Sequence, residues 1–414
     1  MFDNILNQSA TTLLSQDIIK SKLPNSILFS GPQGSGKFSC ALETARILSC
    51  HNGGEWNCTC SSCLRHKAMV SHNVLVVGSG NRNLEIAAAK DTLLKQNIKN
   101  SRHLEAARYL YLRSVRKLTV RFSPVLWEGE DKLSKFAPVL ESINDGLELI
   151  QVGRTLPDHE ELKKILDDIE KNCEKLEFTF LYDSIPVSQI RNFSSWAHLS
   201  SQEKKKILII ENADLMSESA RNALLKILEE PPEDVVFILT TTRRSSMLPT
   251  ILSRVRTYNF FERTVEQQQN VISRIFHYDG GLGMTQMPES INDFMNRYLP
   301  VDPEIIKSYS KVFVETIAGG KVPDIPSIIS SCQKFEPRVL LKIFFEGIIE
   351  CQKPLLFSAQ GCESSAMIVE ELRRAYSNAT LYFQNPTSVL EELTRSLMQV
   401  SFMNKGSLRC LCNE

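Results

Sequence analysis

The chain has 414 residues, enough for two or three domains, and its 42% hydrophobic and 23% charged residues are typical of a globular protein. The formal net charge of zero argues against a protein whose whole surface binds nucleic acid, although a local basic patch stays possible. No apolar run reaches the ~18 residues of a membrane span, and the N-terminal residues do not resemble a secretory signal, so we expect a cytoplasmic protein without membrane association.

A strand, a glycine-rich loop and a helix are predicted in succession near the N-terminus. The strand is SILFSG (Ser26–Gly31) and the helix is FSCALETARILSC (Phe38–Cys50). Between them, GPQGSGK fits the G-x-x-x-x-G-K pattern, in which backbone N–H groups and a helix N-terminus bind phosphate and the lysine adds a positive charge. The candidate nucleotide-binding residues are Gly31, Gly34, Gly36 and Lys37.

The residue after Lys37 departs from this pattern. Phe38 stands where a Ser or Thr hydroxyl would reach Mg²⁺. Ser39 has a hydroxyl, but one step along a helix turns it about 100° away. ATP with Mg²⁺ is therefore a possible ligand, and the metal part of the site is expected to be degenerate.

Four of the eleven cysteines lie within a segment of fourteen residues: Cys50, Cys58, Cys60 and Cys63. Four thiolates suit a closed, tetrahedral structural Zn²⁺ site. The single residue between Cys58 and Cys60 is a tighter spacing than usual, and the alternative is a set of unligated thiols. We predict a zinc module over residues 50–66.

After a second predicted strand, NVLVVGSG (Asn73–Gly80), residues 84–176 show helical periodicity. Helices are predicted within Ser101–Phe122 and Pro157–Leu176, the second with Asp158 as its cap. The first of these helices carries six basic residues against one acidic residue, which favours either contact with DNA phosphates or an ordinary solvated or intramolecular role. The candidate intramolecular partners are Asp167, Asp168 and Glu170.

Two further buried strands and a helix follow. The segments are the strand ILII within Lys204–Asp214, the helix Ala220–Glu230 and the strand Val235–Thr242. Alternating strands and helices predict a parallel α/β sheet. Glu211 ends its strand as a candidate metal-side acid. Asn212 stands where a carboxylate would activate water, so we expect weak hydrolysis at this site.

Several segments together resemble bacterial DNA polymerase III clamp-loader subunits. In chain order, the similar blocks are FDNILNQ, SILFSGPQGSGK, the four-cysteine segment, NALLKILEEPPEDVVFILTTT and PTILSRVR, and this is the order expected of the family. The resemblance covers roughly residues 1–83 and 177–262. The residues from about 84 to 176 stand where the family usually has a short connection, so a helical insertion of unknown role is expected there.

This resemblance implies a RecA-like AAA+ domain with the zinc knuckle over residues 1–263, a helical lid over 264–322 and a helical collar over 323–414. It implies that Thr241 lies in the sensor-1 region and that Arg254 acts as an arginine finger on a neighbouring subunit's ATP. Phe38 and Asn212 favour the delta-prime type of subunit, with little ATPase activity of its own. The implied partners are gamma/tau-type and delta-type subunits in a hetero-pentamer, with the sliding clamp and primer-template DNA contacted through the complex.

Two other functions stay open at this point. One is an active ATPase of the gamma/tau type, which would need Glu211 to hold the metal and Ser39 to replace the missing hydroxyl. The other is a DNA-binding adaptor that acts through the basic insertion. From about residue 264 onward the sequence predicts helices and no strands.

Overall fold

The structure, a computed structural model, describes residues 1–182, 184–199, 205–278, 287–331, 337–382 and 384–403. The chain forms two compact units, Met1–Met295 and Asn296–Glu414. The predicted domain limits lie after residues 263 and 322. The division into an AAA+ domain, a lid and a collar stays a prediction.

A parallel sheet forms the centre of the first unit. Its strands are β1 (Ser26–Ser30), β2 (Val74–Gly78), β3 (Lys206–Glu211), β4 (Val235–Thr241) and β5 (Arg256–Asn259). They lie in the order β2-β3-β4-β1-β5, with every neighbouring pair parallel. β1, β3 and β4 are buried at every residue, as a sheet covered on both faces requires. The predicted α/β class and the four predicted strands are therefore confirmed.

The edge strand β5 is not predicted from the sequence. Tyr258 is its one buried residue. A strand at the edge of a sheet can be short and polar because only one side of it pairs with a neighbour. The apolar run that marks the central strands is consequently missing.

Helices surround the sheet in the first unit. They are α1 (Ala10–Ile19), α2 (Lys37–Ser49), α3 (Ser61–Lys67), α4 (Asn83–Ile98), α5 (Leu104–Thr119), α6 (Lys132–Leu149), α7 (His159–Phe180), α8 (Val187–Ala197), α9 (Glu218–Glu229), α10 (Pro249–Leu252), α11 (Val265–Phe276) and α12 (Ile291–Asn296), whose last residue is the first of the second unit. Short 3-10 turns lie at Val120–Phe122, Pro124–Trp127, Ala213–Leu215 and Arg244–Ser246.

The two faces of the sheet belong to two different apolar layers. Along β3, Ile207 and Ile209 pack in the layer that contains α2 and the N-terminal residues. Leu208 and Ile210 pack in the layer that contains α4 to α9. Successive side chains of a strand point to opposite faces, so one continuous apolar run serves both layers.

The predicted helices within residues 84–176 are confirmed as α5 and α7, and α4 and α6 lie beside them. Asp158 caps α7, since its Oδ1 accepts the N–H of Glu161 at 2.9 Å. The side chains of Tyr111 and Trp127 are fully buried and belong to the same core as the sheet. These helices are therefore part of the first unit's main core.

The second unit is helical. Its helices are α13 (Pro303–Ala318), α14 (Ile325–Ser331), α15 (Pro337–Cys351), α16 (Ala359–Leu381) and α17 (Pro386–Met403), with a 3-10 turn at Lys353–Phe357. Phe313 and Phe344 lie in its own apolar core. Beyond β5 the described residues contain no strand, as predicted. None of the helices in the described part of the chain has the length and apolar character that a membrane crossing requires.

Candidate functional site

The glycine-rich loop lies between β1 and α2, as predicted. Gly34 and Gly36 have φ angles of +73° and +91°, a left-handed conformation that glycine adopts without steric cost. Gly31 is needed for another reason, because a Cβ there would lie 2.3 Å from the carbonyl oxygen of Phe260. Each of the three candidate glycines therefore has a backbone reason to be glycine.

Lys37 is buried within this loop. Its Nζ donates to the carbonyl oxygens of Gly31 at 2.7 Å and Pro32 at 2.6 Å. Burial lowers the pKa of Lys37 to about 8, although the charges of Glu211 and Asp214 act in the opposite direction. The amine is thus held beside the loop at the start of α2.

Arg263 joins the loop to the N-terminal residues. Its Nη1 donates to the carbonyl oxygen of Gly34 at 3.0 Å, and its Nη2 donates to that of Leu6 at 2.8 Å. The side chain is 8% exposed. The sequence gives no signal for Arg263, because a single arginine beyond a strand carries no motif.

The carboxyl ends of β3 and β4 bring Glu211 and Thr241 to the same edge of the sheet as the loop. The Thr241 hydroxyl donates to Asp214 Oδ1 at 2.7 Å, and both side chains are buried. The hydroxyl of Thr240 accepts the backbone N–H of Asn212 at 3.2 Å. Asp214 is a further buried acid at this edge that the sequence reasoning did not single out.

Glu211 is held by two arginines. Arg82 Nη2 bonds one carboxylate oxygen and Arg121 Nη2 bonds the other. Burial alone would raise the pKa of Glu211, but the two guanidinium groups hold it below its ordinary value. Neither arginine is predicted as a site residue, and Arg121 enters the sequence reasoning only as one of the six basic residues.

The chain reaches Glu211 through a glycine-containing turn after β2. A Cβ on Gly78 would lie 2.6 Å from the carbonyl oxygen of Glu211, and one on Gly80 would lie 3.0 Å from Arg121 Nη2. The two glycines of NVLVVGSG therefore permit the close approach that places Arg82. In the sequence, this pair of glycines is a signal that the chain passes close to another segment here.

Phe38 lies beneath Arg82. The guanidinium carbon of Arg82 is 4.5 Å from the centre of the Phe38 ring, a cation–π contact. Phe38 itself is buried in the layer that contains α2. Phe38 therefore has an apolar packing role and an arginine partner, in place of a bond to a metal.

Several buried polar atoms surround these arginines without a hydrogen-bond partner among the described residues. They are Ser79 Oγ, Arg82 Nε, Asn83 Nδ2 and Oδ1, Arg121 Nε and Glu177 Oε2. Buried polar groups in proteins are rarely left unsatisfied. Burial also raises the pKa of Glu177 to about 7. This cluster is polar enough to bind solvent or a polar ligand.

The residues present fit a phosphate group better than they fit Mg²⁺. Phosphate-loop proteins hold the ion through a hydroxyl after the lysine and an acid at a strand end. Here Phe38 lacks the hydroxyl, and both oxygens of Glu211 bond arginine. Lys37 and the loop glycines are in place.

The four cysteines form a separate site. Their Sγ atoms all lie within 4.8 Å of one another, and those of Cys50 and Cys58 are 3.7 Å apart. Tetrahedral Zn²⁺ with thiolate ligands requires sulfur separations of about 3.8 Å. The predicted ligands are thus brought together in an arrangement that fits zinc.

A buried arginine supports the four-cysteine site from α2. Arg46 Nη1 donates to Cys63 Sγ at 2.9 Å, and its Nη2 donates to Glu43 at 2.7 Å and to the carbonyl oxygen of Gly54 at 2.8 Å. A positive charge beside four thiolates offsets part of their negative charge. The helix that begins at Lys37 therefore also braces the cysteine site.

The basic residues of Ser101–Phe122 are used inside the molecule. At the end of α3, Arg113 donates to the carbonyl oxygen of Lys67 at 2.6 Å and Arg116 to that of Ala68 at 2.7 Å. Cations at a helix C-terminus satisfy its free carbonyl groups. Arg108 donates to Ile150 at 2.7 Å, and Lys117 pairs with Glu85.

Two of the three predicted partners of this basic segment are bonded to another residue. Asp167 and Glu170 pair with Lys90 on α4, the second at 2.6 Å. Helix periodicity shows which residues share a face but not which helix packs against that face. In the described contacts, five of the six basic residues are bonded within the molecule, to backbone carbonyl oxygens, Glu85 and Glu211, and not to the acidic helix; the contact of Arg102 is to His103.

Arg254 lies near the surface just after α10, with a third of its side chain exposed. Its Nη2 pairs with Glu229 at 2.8 Å, and its Nη1 donates to the carbonyl oxygen of Thr250 at 2.8 Å. Glu229 is the last residue of α9. These contacts hold the guanidinium outward without burying it.

The chain has recognisable relatives among known proteins. The family model described as "DNA polymerase III, delta subunit" matches residues 6–123 and 155–264, which is more than half of the chain. The chain belongs to this family. The two matched ranges leave residues 124–154 unmatched. The predicted insertion, 84–176, includes this segment and also overlaps both matched ranges.

Curated relatives of this family member match over short segments. The chain is 35% identical to DNA polymerase III subunit delta' of Buchnera aphidicola over 86 residues. This segment is 20% of this chain and 26% of that protein. Over 79 residues it is 37% identical to subunit gamma/tau of Mycobacterium bovis, 19% of this chain and 14% of that protein. STICHEL-like 3 of Arabidopsis thaliana is 40% identical over 88 residues, 20% of this chain and 8% of that protein.

A solved structure from Thermotoga maritima, a DNA polymerase III gamma subunit-related protein, aligns with a TM-score of 0.30 and 17% identity. The alignment covers 53% of this chain and 80% of that one. The curated matches each span about a quarter or less of the relative's length.

Proposed function

We propose that the chain is a delta-prime-like subunit of a DNA polymerase III clamp loader, which assists the ATP-dependent loading of a sliding clamp on primed DNA. Its partners would be gamma/tau-type and delta-type subunits in a five-membered ring. Membership of the DNA polymerase III delta subunit family supports this proposal. So do the segments shared with proteins named delta' and gamma/tau.

The chain's own site would hydrolyse ATP weakly or not at all. The observation that carries this part of the proposal is the pairing of Glu211 with Arg82 and Arg121. An acid whose two oxygens are bonded to arginine is poorly placed to help hold a metal ion. The amide of Asn212 is also a poor base for activating water.

Arg254 would act on the nucleotide of an adjacent subunit. Its partial exposure and its surface pair with Glu229 support this role, because the guanidinium is positioned yet accessible. A surface ion pair contributes little stability and is readily exchanged for a phosphate partner. Zn²⁺ at the four cysteines would have a structural role in the same subunit.

Reconstitution with gamma/tau-type and delta-type subunits tests the proposal. Replacing Arg254→Ala should lower the ATPase rate of the complex to that of its remaining sites, because a finger contributes about 10³-fold or more at the site it serves. Arg254→Lys should fail to restore the rate, since lysine lacks the planar guanidinium group with its paired N–H donors. Arg244→Ala, an exposed arginine in the same region, is the matched control.

Gel filtration would show that each variant complex remains assembled. An unchanged ATPase rate in an intact Arg254→Ala complex would remove the finger assignment. Robust ATPase activity of the isolated chain would contradict the degenerate site and favour the gamma/tau-like alternative.

The adaptor alternative is weakened by the contacts of the basic segment. Arg113 and Arg116 cap α3, and Arg121 holds Glu211, so these cations are engaged before any DNA arrives. The surrounding helices also build the main core of the first unit. Their primary role is therefore within the fold.

A further inference from the structure

The phosphate loop combines an intact lysine with a metal position that the protein fills itself. We propose that the guanidinium of Arg82 stands in place of Mg²⁺ at this loop, so that the loop binds the polyphosphate of a nucleotide without a divalent metal. The inference concerns the chain's own loop. It does not depend on the neighbours that the chain has in an assembly.

Arg82 lies between the two groups that would hold the ion. In a phosphate loop the ion lies between the residue after the lysine and the acid of the neighbouring strand. Arg82 contacts both of these positions. Its guanidinium carbon lies 4.5 Å from the Phe38 ring centre, and its Nη2 pairs with Glu211.

The charge at this position also suits the replacement of a metal ion. The guanidinium groups of Arg82 and Arg121 carry two permanent positive charges, as one Mg²⁺ ion does. Both are bonded to the carboxylate that would otherwise face the metal. Moving an ion into this position would require breaking a buried ion pair, whose loss is strongly destabilising.

Arg82 is fixed in place. Its Nη1 pairs with Glu85 at 3.2 Å, and its backbone N–H donates to Glu177 at 2.7 Å. Lys117 in turn pairs with Glu85. A cation held by this network is present before the ligand arrives, so no reorganisation is needed on binding.

The loop is still able to bind phosphate. Gly34 and Gly36 keep their left-handed conformation, and a Cβ on Gly34 would come no closer than 3.8 Å to its nearest neighbour, Ile291. Each Nη of arginine carries two N–H groups, so Arg82 retains donors after bonding Glu85 and Glu211. The buried Nε atoms of Arg82 and Arg121 have no partner among the described residues.

The decisive experiment measures the affinity of the full chain for fluorescent ADP and ATP in Mg²⁺ and in EDTA. The two affinities should agree within about twofold, a difference of roughly 0.4 kcal/mol. Inorganic pyrophosphate should displace the probe, and adenosine should not. Binding that requires Mg²⁺, displacement by adenosine alone, or no binding in either buffer would each overturn the proposal.

Variants locate the effect at Arg82. Arg82→Ala should weaken nucleotide binding in EDTA by roughly tenfold or more, because a charge-assisted contact is lost. The exposed Arg244→Ala is the control and should bind as the original chain does. If Arg82→Ala binds as tightly as the control, the proposal is wrong.

The double variant Phe38→Thr with Arg82→Ala supplies the opposite test. It restores a hydroxyl after Lys37 and frees one oxygen of Glu211, so added Mg²⁺ should tighten nucleotide binding in this variant alone. Circular dichroism and thermal unfolding would confirm that each variant is folded. Should either variant fail to fold, the comparison of Mg²⁺ with EDTA on the unaltered chain still decides.

Discussion

The cysteine site and the phosphate loop are two motif-bearing regions joined by one helix, and they differ in where their functional groups come from. The four thiols of the cysteine site lie within fourteen residues, Cys50 to Cys63. At the phosphate loop, Lys37 comes from α2, Arg82 from the turn after β2 and Glu211 from β3. One site is built locally and the other across the whole first unit.

This difference determines how each site can change. A local set of ligands keeps its chemistry as long as its own segment is intact. A site assembled from distant segments can keep a recognisable loop while a residue such as Arg82 alters what the loop binds. The phosphate loop is therefore a weaker guide to function than the cysteine segment, although its motif is easier to recognise.

Removing one thiol is expected to have the largest effect. Cys63→Ser should abolish zinc binding and lower the free energy of unfolding by more than about 4 kcal/mol, since structural zinc sites contribute folding energy directly. Cys63 is buried and bonded to Arg46, so the damage should extend into α2. Zinc content by mass spectrometry and urea unfolding would measure the two effects.

The exposed Cys362→Ser is the matched control and should retain both zinc and stability. A purified chain that holds no zinc after folding in its presence would contradict the local site. The phosphate loop would then be a better guide to function than the cysteine segment.

Breaking the arginine–glutamate cluster should have the next largest effect. Glu211→Ala leaves Arg82 and Arg121 buried without their carboxylate, which typically costs about 3–5 kcal/mol. Urea unfolding would measure the loss. Glu148→Ala, which breaks an exposed pair with Arg154, is the control and should change stability by less than about 1 kcal/mol. Equal effects of the two substitutions would show that the cluster does not stabilise the fold.

Glu177 should make the phosphate-loop region sensitive to pH. Burial raises its pKa in the folded chain from 4.5 to about 7. Between these values the folded state binds more protons than the unfolded state, so the free energy of unfolding should fall as the pH rises through this window. The loss approaches about 3 kcal/mol above pH 7, at 1.36 kcal/mol for each pKa unit.

Glu177→Gln removes this titration and provides the comparison. The difference in unfolding free energy between the original chain and the variant should decline from pH 4.5 to 7 and then level off. If the unfolding free energies of the original chain and the variant instead change with pH in parallel, Arg82 and Arg121 keep Glu177 ionised throughout, contrary to the effect of burial.

Much of the fold is predictable because its signals are local. The apolar runs of β1, β3 and β4, and the periodicity of α5 and α7, are each contained in a few turns or one strand. β5 is missed because an edge strand needs no apolar run. The cysteine ligands are predicted for the same reason as the central strands, since their spacing lies within one segment.

The arginine cluster could not be predicted because its signal is distributed. Arg121 is separated from Glu211 by 90 residues, and nothing in its surrounding sequence marks a site. The basic residues of Ser101–Phe122 form a recognisable group in the sequence, but their partners depend on the packing of α3 and α4. Only the glycines at 78 and 80 indicate that the chain passes close to another segment there.

The smallest effect on stability is expected at the surface pair of Arg254 and Glu229. Glu229→Ala should change the free energy of unfolding by less than about 1 kcal/mol, because the pair is exposed. The substitution should nevertheless lower the ATPase rate of the reconstituted complex, since Arg254 loses the carboxylate that orients it. ATPase assays combined with urea unfolding would separate the two. A large loss of stability would show that Arg254 is structural, and this third region would then resemble the buried cluster around Glu211 rather than a surface available to a neighbour.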